Sequence, residues 1–403
     1  MKSLFIWMLI GVFTPIYCLA QETTQEPPLV VEEIRCQGNT STSCQFIAGH
    51  LYLSSGDQLN EEEIQNAKLR LSSLSNFKSV DIHLEKGAEK GRAVVVIEVT
   101  EASPITKEIS IGTSLRNSSL SQKLAGRVSH QNLFGTGKIL DLEVGGRIPV
   151  NEPTRRDVST RLQFVDPNLF GSKKYFFISG LSYQNSLYTY KDGDSYASEQ
   201  LGVDASLGRR IWDFSYLTAG YQFRPTSNIT DRYTLSDGTH ETKYDSYDRV
   251  YLLGYGWNSE DDPYFPTQGS RFNTSFAWSS SDHYSTLLKV GIAYRTTWNA
   301  ANNSIWTFKV GGTPGTEHRP TLDEDLGISL AYARPIAASD KFGGIERGRW
   351  YVEPGFQGLG FSSYSGTILD PGIKAGVRLE TKALGIVDLY AIGSTEWRVG
   401  GNK

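Results

Sequence analysis

From Pro104 onward the chain alternates with a period of two. In LLKVGIAYRTTW (287–298), Leu288, Val290, Ile292, Tyr294, Thr296 and Trp298 share one face of an extended strand. Lys289, Gly291, Ala293, Arg295 and Thr297 share the other. VYLLGYGW (250–257), FNTSFAW (272–278) and GIKAGVRLE (372–380) repeat the scheme, aliphatic or aromatic on one side and small or charged on the other. The pattern predicts about fifteen strands between 108–117 and 385–397, with short joints alternating with longer loops such as 227–246 and 314–325. A packed sandwich core does not accept Lys289, Arg295, Arg378 and Glu380, so their face meets water. The opposite face ends in Tyr and Trp, as strands do at membrane interfaces. Only a closed sheet satisfies every backbone group inside a bilayer. The expected fold is therefore mainly β: a transmembrane antiparallel β-barrel over 104–403, of about sixteen strands or fifteen by pattern.

Residues 29–102 have a different rhythm. LVVEEIRC reads as a strand, and CQFIAGHLYL reads as a short helix with Ile47 and Leu51 four apart. A second helix opens at Asn60-Glu61-Glu62-Glu63, where Asn60 can cap and Glu63 can reciprocate. Ile64, Ala67, Leu71 and Leu74 line its apolar face. Two strands follow, SVDIHLE (79–85) and AVVVIEVTE (93–101), giving the order β-α-α-β-β. In the first of them Val80, Ile82 and Leu84 face the helices, leaving an edge whose backbone can receive an extended peptide.

Composition narrows the class. The 403 residues carry a net charge of −4, with no basic excess for nucleic acid, and 40 Gly, 21 Tyr, 18 Phe and 8 Trp suit a thin apolar wall better than a compact core. The N-terminus has Lys2, an apolar run from Leu4 to Tyr17 and small residues ending at Ala20, the order of a secretory signal peptide over 1–20. Pro15-Ile16-Tyr17 before Cys18 lacks the small residues of a lipoprotein cleavage site. A Thr/Glu/Pro-rich linker fills 21–28. After export Cys36 and Cys44 are expected to pair and close CQGNTSTSC. The six histidines are scattered, without H-E-x-x-H or G-x-S-x-G, so no catalytic, metal or cofactor site is expected.

Several stretches resemble one superfamily, the BamA/TamA-type outer-membrane assembly factors. In the N-terminal unit, I-x-C-x-G-N, G-D-x-L-N-E-E-E-I, L-S-N-F-K-S-V and V-V-V-I-E-V-T-E resemble a POTRA domain. QNLFGTGKIL (131–140) and FVDPNLFGSKKYF (164–176) are similar to the paired N-L-F-G turns of these barrels. DDPYFPTQGSRF (261–272) resembles their D-x-x-x-F-P-T-x-G-x-R turn, on Asp262, Phe265, Pro266, Gly269 and Arg271. Pro263 and Pro266 pre-set the backbone there and Gly269 permits positive φ, so a tight joint is expected whose acids organise the turn or face water.

The resemblance implies a sixteen-stranded barrel in a Gram-negative-type outer membrane, a periplasmic domain that receives unfolded outer-membrane or secreted polypeptides, and possible periplasmic accessory proteins. It also implies a weak seam between first and last strands, here carried by Ile109, Ile111 and Gly112 and by Leu389 and Ile392, with few ladder hydrogen bonds. In the family a lumenal loop carries a V-R-G-Y/F-like motif. The loop at 314–325 (PGTEHRPTLDED) lacks it, and FGGIERGRWY (342–351) holds an echo one strand later, so Arg319 and Arg347 are both candidates for the lumenal arginine. A two-partner-type secretion pore is the nearest alternative. A barrel-wall hydrolase and a passive pore are rivals from other classes.

Overall fold

A computed structural model describes residues 29–150, 155–189, 194–235, 238–282, 287–312, 327–340, 344–362, 366–395 and 397–399. The expected signal peptide and linker, and the loop 314–325 with Arg319, lie outside them.

The N-terminal unit runs β1 (Val30–Gln37), α1 (Cys44–Ala48), α2 (Glu61–Ser72), β2 (Phe77–Lys86) and β3 (Arg92–Glu101). Its sheet has the order β1-β3-β2, with β1 parallel and β2 antiparallel to the central β3. Val31, Ile47, Leu51, Ala67, Leu71, Val95 and Ile97 are fully enclosed between sheet and helices. Val94 and Val96 point to the other face and are buried as well. Arg35 lies beside Val96 in the ladder and bridges Glu33 and Glu85 at 3.2 Å each, so its aliphatic stem helps to cover that face. Asn60 caps α2 by accepting from the Glu62 amide at 2.9 Å. Glu63 does not complete the expected capping box: it accepts instead from the Tyr52 amide, at 2.7 Å, and from Arg70. A disulfide joins Cys36 to Cys44, with their Cα atoms 5.6 Å apart.

Among the described residues fifteen strands, β4 to β18 in chain order, close the barrel. Each pairs antiparallel with the next, and β18 (Gly385–Ser394) returns to β4 (Ile105–Arg116). An odd count makes the first and last strands run in the same direction, so this closure is parallel. The sixteenth strand implied by the resemblance is absent among the described residues. Instead β19 (Trp397–Val399) continues the path of β18 along β17 (Gly366–Thr381).

The expected long loop at 227–246 is also corrected. β10 (Ser215–Leu235) and β11 (Gly238–Asn258) run through it as one long hairpin, paired from Ser215 opposite Trp257 to Leu235 opposite Gly238 with one register shift between Thr226 and Ile229. Polar alternation such as TDRYT against THETK is compatible with a ladder that has water on both sides, and loop signals by composition mistook it.

The wall's outer face exposes Leu124, Leu142, Leu162, Leu207, Leu253 and Leu288, as a lipid-facing surface does. Ion pairs such as Arg127–Asp141, Arg161–Asp204 and Lys309–Glu353 line the inner face. By strand alternation, the barrel end at which β4 begins also carries the joints near 134, 170, 213, 264, 302 and 383. This is the near end, where the small domain sits.

Candidate functional site

The near-end joint 259–268 is not a simple tight turn. Asp261 ties it internally, accepting from the Thr267 amide (2.8 Å) and hydroxyl (2.6 Å). Asp262 accepts from the Tyr264 and Phe265 amides at 2.7 and 2.8 Å, and Gly269 takes φ 103°. The acids therefore organise the turn, but the turn reaches across the lumen. Phe265 is 7% exposed, and the guanidinium carbons of Arg347, Arg349 and Arg378 lie 4.5, 5.6 and 5.8 Å from its ring centre. Asp262 pairs with Arg347, which also binds Glu380, and Arg349 donates to the Pro266 carbonyl at 3.2 Å. On the other side the Tyr264 hydroxyl reaches Thr106 of β4 at 3.4 Å. Glu260, buried beneath the turn, holds Arg295 through two 2.6 Å bonds. The turn thus spans the near-end mouth from the joint of β11 and β12 (Gly269–Ser281) to the wall of β16 (Ile345–Ser362) and β17 and to β4, held by one aromatic anchor and a ring of arginines.

The seam corrects a second expectation. β18 and β4 pair without a register shift over nine consecutive residues, from Ile386 opposite Glu108 to Ser394 opposite Arg116. The poor pairing expected of a standing lateral opening is not present. Two ion pairs reinforce the closure by reaching across β18. Near one end Arg378 of β17 binds Glu108 of β4 at 2.8 Å, with Asp388 of β18 at 3.6 Å from the same guanidinium. Near the other, Arg116 of β4 binds the buried Asp370 of β17 at 3.0 Å. The Tyr390 ring lies over Gly112, where an added Cβ would come within 2.2 Å of the ring, so that glycine exists to admit an aromatic across the seam. Ile111 and Leu389 are paired and lipid-facing, whereas Ile392 falls on the lumenal side with Tyr390.

The small domain docks on the near-end rim through the paired N-L-F-G turns. Ser43 N–H donates to the Gly135 carbonyl at 2.8 Å, and Asn132 donates to the Thr42 hydroxyl at 2.9 Å. Gly137 makes room for the Phe46 ring, which an added Cβ would meet at 2.1 Å. The disulfide-closed loop reaches this rim in a fixed shape because Glu101 accepts from Thr40 (2.6 Å), Ser41 and Thr42 (2.7 Å). Against the desolvation that burial imposes, those hydrogen bonds bring its carboxyl down to about 2. Arg70 is the second fastening. Buried over the Tyr52 ring, it donates to the His50 carbonyl (2.9 Å), to Asp213 of the barrel (3.0 Å) and to Glu63.

Several predicted residues meet and others do not. Asp262, Phe265 and Pro266 join Arg347 in one cluster, so Arg347 is the candidate arginine that faces the lumen; Arg319 is outside the described residues. Arg271 opens β12 (Gly269–Ser281) opposite Arg295. Val80 is buried, Ile82 half-buried and Leu84 exposed, on an edge strand as expected. The sequence reading missed Arg349, Arg378, Glu108 and Asp370. Their signal was present, charged residues at inward positions of strands, but nothing local says which pairs will meet across a closed sheet.

The Omp85 superfamily domain matches residues 132–334, half of the chain. The chain belongs to the Omp85 superfamily. Two solved structures of CdiB share the fold at low identity. CdiB from Acinetobacter baumannii is 11% identical with a TM-score of 0.57, the match covering 89% of this chain and 69% of that one. CdiB from Escherichia coli is 13% identical with a TM-score of 0.57, covering 88% and 70%. BamA from Haemophilus ducreyi lacking POTRA domains 1–3 is 16% identical with a TM-score of 0.49, covering 93% and 82%. Omp85 barrels are outer-membrane proteins that handle polypeptide substrates, as transporters and assembly factors rather than enzymes. Among the described residues of this Omp85 chain, no three His, Cys, Asp or Glu side chains are placed to hold a metal.

Proposed function

We propose that this Omp85 protein moves unfolded polypeptide from the periplasm into or across the outer membrane, with its POTRA-like domain receiving the client on the periplasmic side. The observation that carries the reading is a near-end mouth closed by a turn on non-covalent fastenings, directly beside a docked domain with a free strand edge. The outer edge of β2 has no strand partner among the described residues, while the start of β1 is covered by backbone bonds to 56–59. β2 begins at the rim, where Asn76 donates to the Gln131 carbonyl at 3.1 Å, so a peptide added to that edge is led towards β4 and the mouth.

The continuous seam favours passage along the lumen once the 259–268 turn withdraws, the secretion-pore form of the reading. Client insertion at the seam is the second form. Its opening breaks a nine-residue parallel ladder and both bracing ion pairs, although parallel pairing is the weaker kind per residue. A disulfide between Ile111→Cys and Leu389→Cys separates the two. These positions are register partners on the lipid face, whereas Gly112 is occupied by Tyr390 and unsuited to a cysteine. The locked barrel should retain client transport in cells depleted of the native protein. Loss of transport on locking, restored by reductant, would replace the lumenal route with the seam. Normal transport after deletion of 29–102 would remove the receiving role of the domain.

A further inference from the structure

The near-end rim carries large apolar side chains that the protein does not cover. Phe134 and Phe170, the phenylalanines of the two N-L-F-G turns, are 90% and 96% exposed, and both sit at positive φ, 58° and 55°. A bulky residue held in the left-handed region with its ring in solvent contributes nothing to packing. Trp212, at the next near-end joint, is 70% exposed, and Leu384, on the joint on the other side of the seam, is 53% exposed. In ring order these are four neighbouring joints, at β17/β18, between β5 (Ser119–Leu133) and β6 (Lys138–Pro149), between β7 (Arg155–Asp166) and β8 (Tyr175–Thr189), and between β9 (Ser195–Trp212) and β10; the first gap, across the seam, is three strands or about 14 Å, and the others are two strands or about 10 Å. The next joint folds into the lumen, and the one after it is tipped by exposed Ala301, Asn302 and Asn303. Among the described residues the apolar tips therefore occupy one arc only.

That arc continues the lipid-facing wall. Leu140, Leu162, Leu207 and Leu217 are exposed on the strands that rise from these joints. Tyr175, Lys174 and Arg209 are exposed at the same level, the aromatic and basic mixture found at a bilayer interface. We propose that Phe134, Phe170, Trp212 and Leu384 insert into the adjoining leaflet as a one-sided membrane anchor. It fixes the seam side of the barrel, and the rim on which the small domain docks, at the bilayer surface. Gly135 meets the loop of the small domain while Phe134 beside it points away, so one turn serves both contacts.

The test is spin-label accessibility in vesicles of phosphatidylethanolamine and phosphatidylglycerol. The full chain, disulfide intact and Cys18 replaced by Ser, is labelled singly at Phe134→Cys and at Phe170→Cys. Leu253→Cys in the wall and Asn302→Cys on the opposite rim serve as controls. At 134 and 170 the collision rate with oxygen should exceed that with a water-soluble nickel chelate, as at 253, and the order should reverse at 302. A water-like ratio at 134 and 170 with a lipid-like ratio at 253 overturns the anchor. Shielding from both reagents overturns it too, since the tips would then be covered by protein.

Discussion

Phe265→Ala removes the one aromatic anchor that holds the 259–268 turn against the arginine ring. Truncating a packed phenylalanine costs about 3–5 kcal/mol, and the lower figure applies to a site beside a water-filled lumen. The cation–ring contribution of the three arginines is contained in that figure and is not added to it. The internal bonds of Asp261 are untouched, so the turn keeps its shape, and it loses its one aromatic anchor while the polar fastenings of Asp262 and the Pro266 carbonyl remain. A loss of about 3 kcal/mol changes a local equilibrium roughly a hundredfold. The barrel ladder is not part of that equilibrium, so its melting temperature should not move by a comparable amount. Planar-bilayer recording measures the effect: the variant should spend about a hundredfold more time at an open conductance level than the native barrel. Hydrogen exchange of the 259–268 amides should accelerate in parallel. Unchanged conductance together with unchanged exchange would refute the view that Phe265 holds the mouth closed.

Arg70→Ala should loosen the small domain from the rim, because it takes the cation from Asp213 and Glu63, leaving them one hydrogen bond each from Asn66 and the Tyr52 amide, and bares the His50 carbonyl; breaking a buried charge pair costs about 3–5 kcal/mol, and the partial exposure of Asp213 places this one near the lower figure. The readout is faster exchange of amides 41–52 with barrel protection intact, and equal protection would assign the docking to the remaining contacts, those of the N-L-F-G turns, Asn66–Asp213 and Lys173–Leu51. Docking should also weaken on acidification. Burial at the junction lowers His50 from 6.5 to about 4, opposed by its bond to the Phe46 carbonyl and reinforced by Arg210, Arg70 and Lys173. A histidine lowered in the docked state binds more protons when released, so its contribution is complete above pH 6.5 and is lost as pH falls towards 4. His50→Gln should remove that part of the pH dependence, and a profile identical to the native one would show that another group is responsible.

Much of the molecule is legible without coordinates because it rests on local periodicity. Alternation at 287–298 is enough to place Leu288 in lipid and Arg295 in the lumen, since a strand's side chains have only two directions. The β-α-α-β-β order and the Asn60 cap follow from equally local rules. The closed circle follows from the bilayer, which leaves no sheet edge unpaired. What needed tertiary structure is everything decided by closure. The pattern counts the fifteen strands that are found, against the sixteen the resemblance implies, but the parallel and fully paired seam that follows depends on where the ring meets itself. Arg378 finding Glu108, or Arg116 finding Asp370, joins residues over 250 positions apart. Phe265 reads as part of a turn motif in the chain and becomes an anchor only because the opposite wall brings three arginines to it. Turn chemistry is set by neighbours in sequence, but a turn's direction, into the lumen or towards lipid, is set by the wall it can reach.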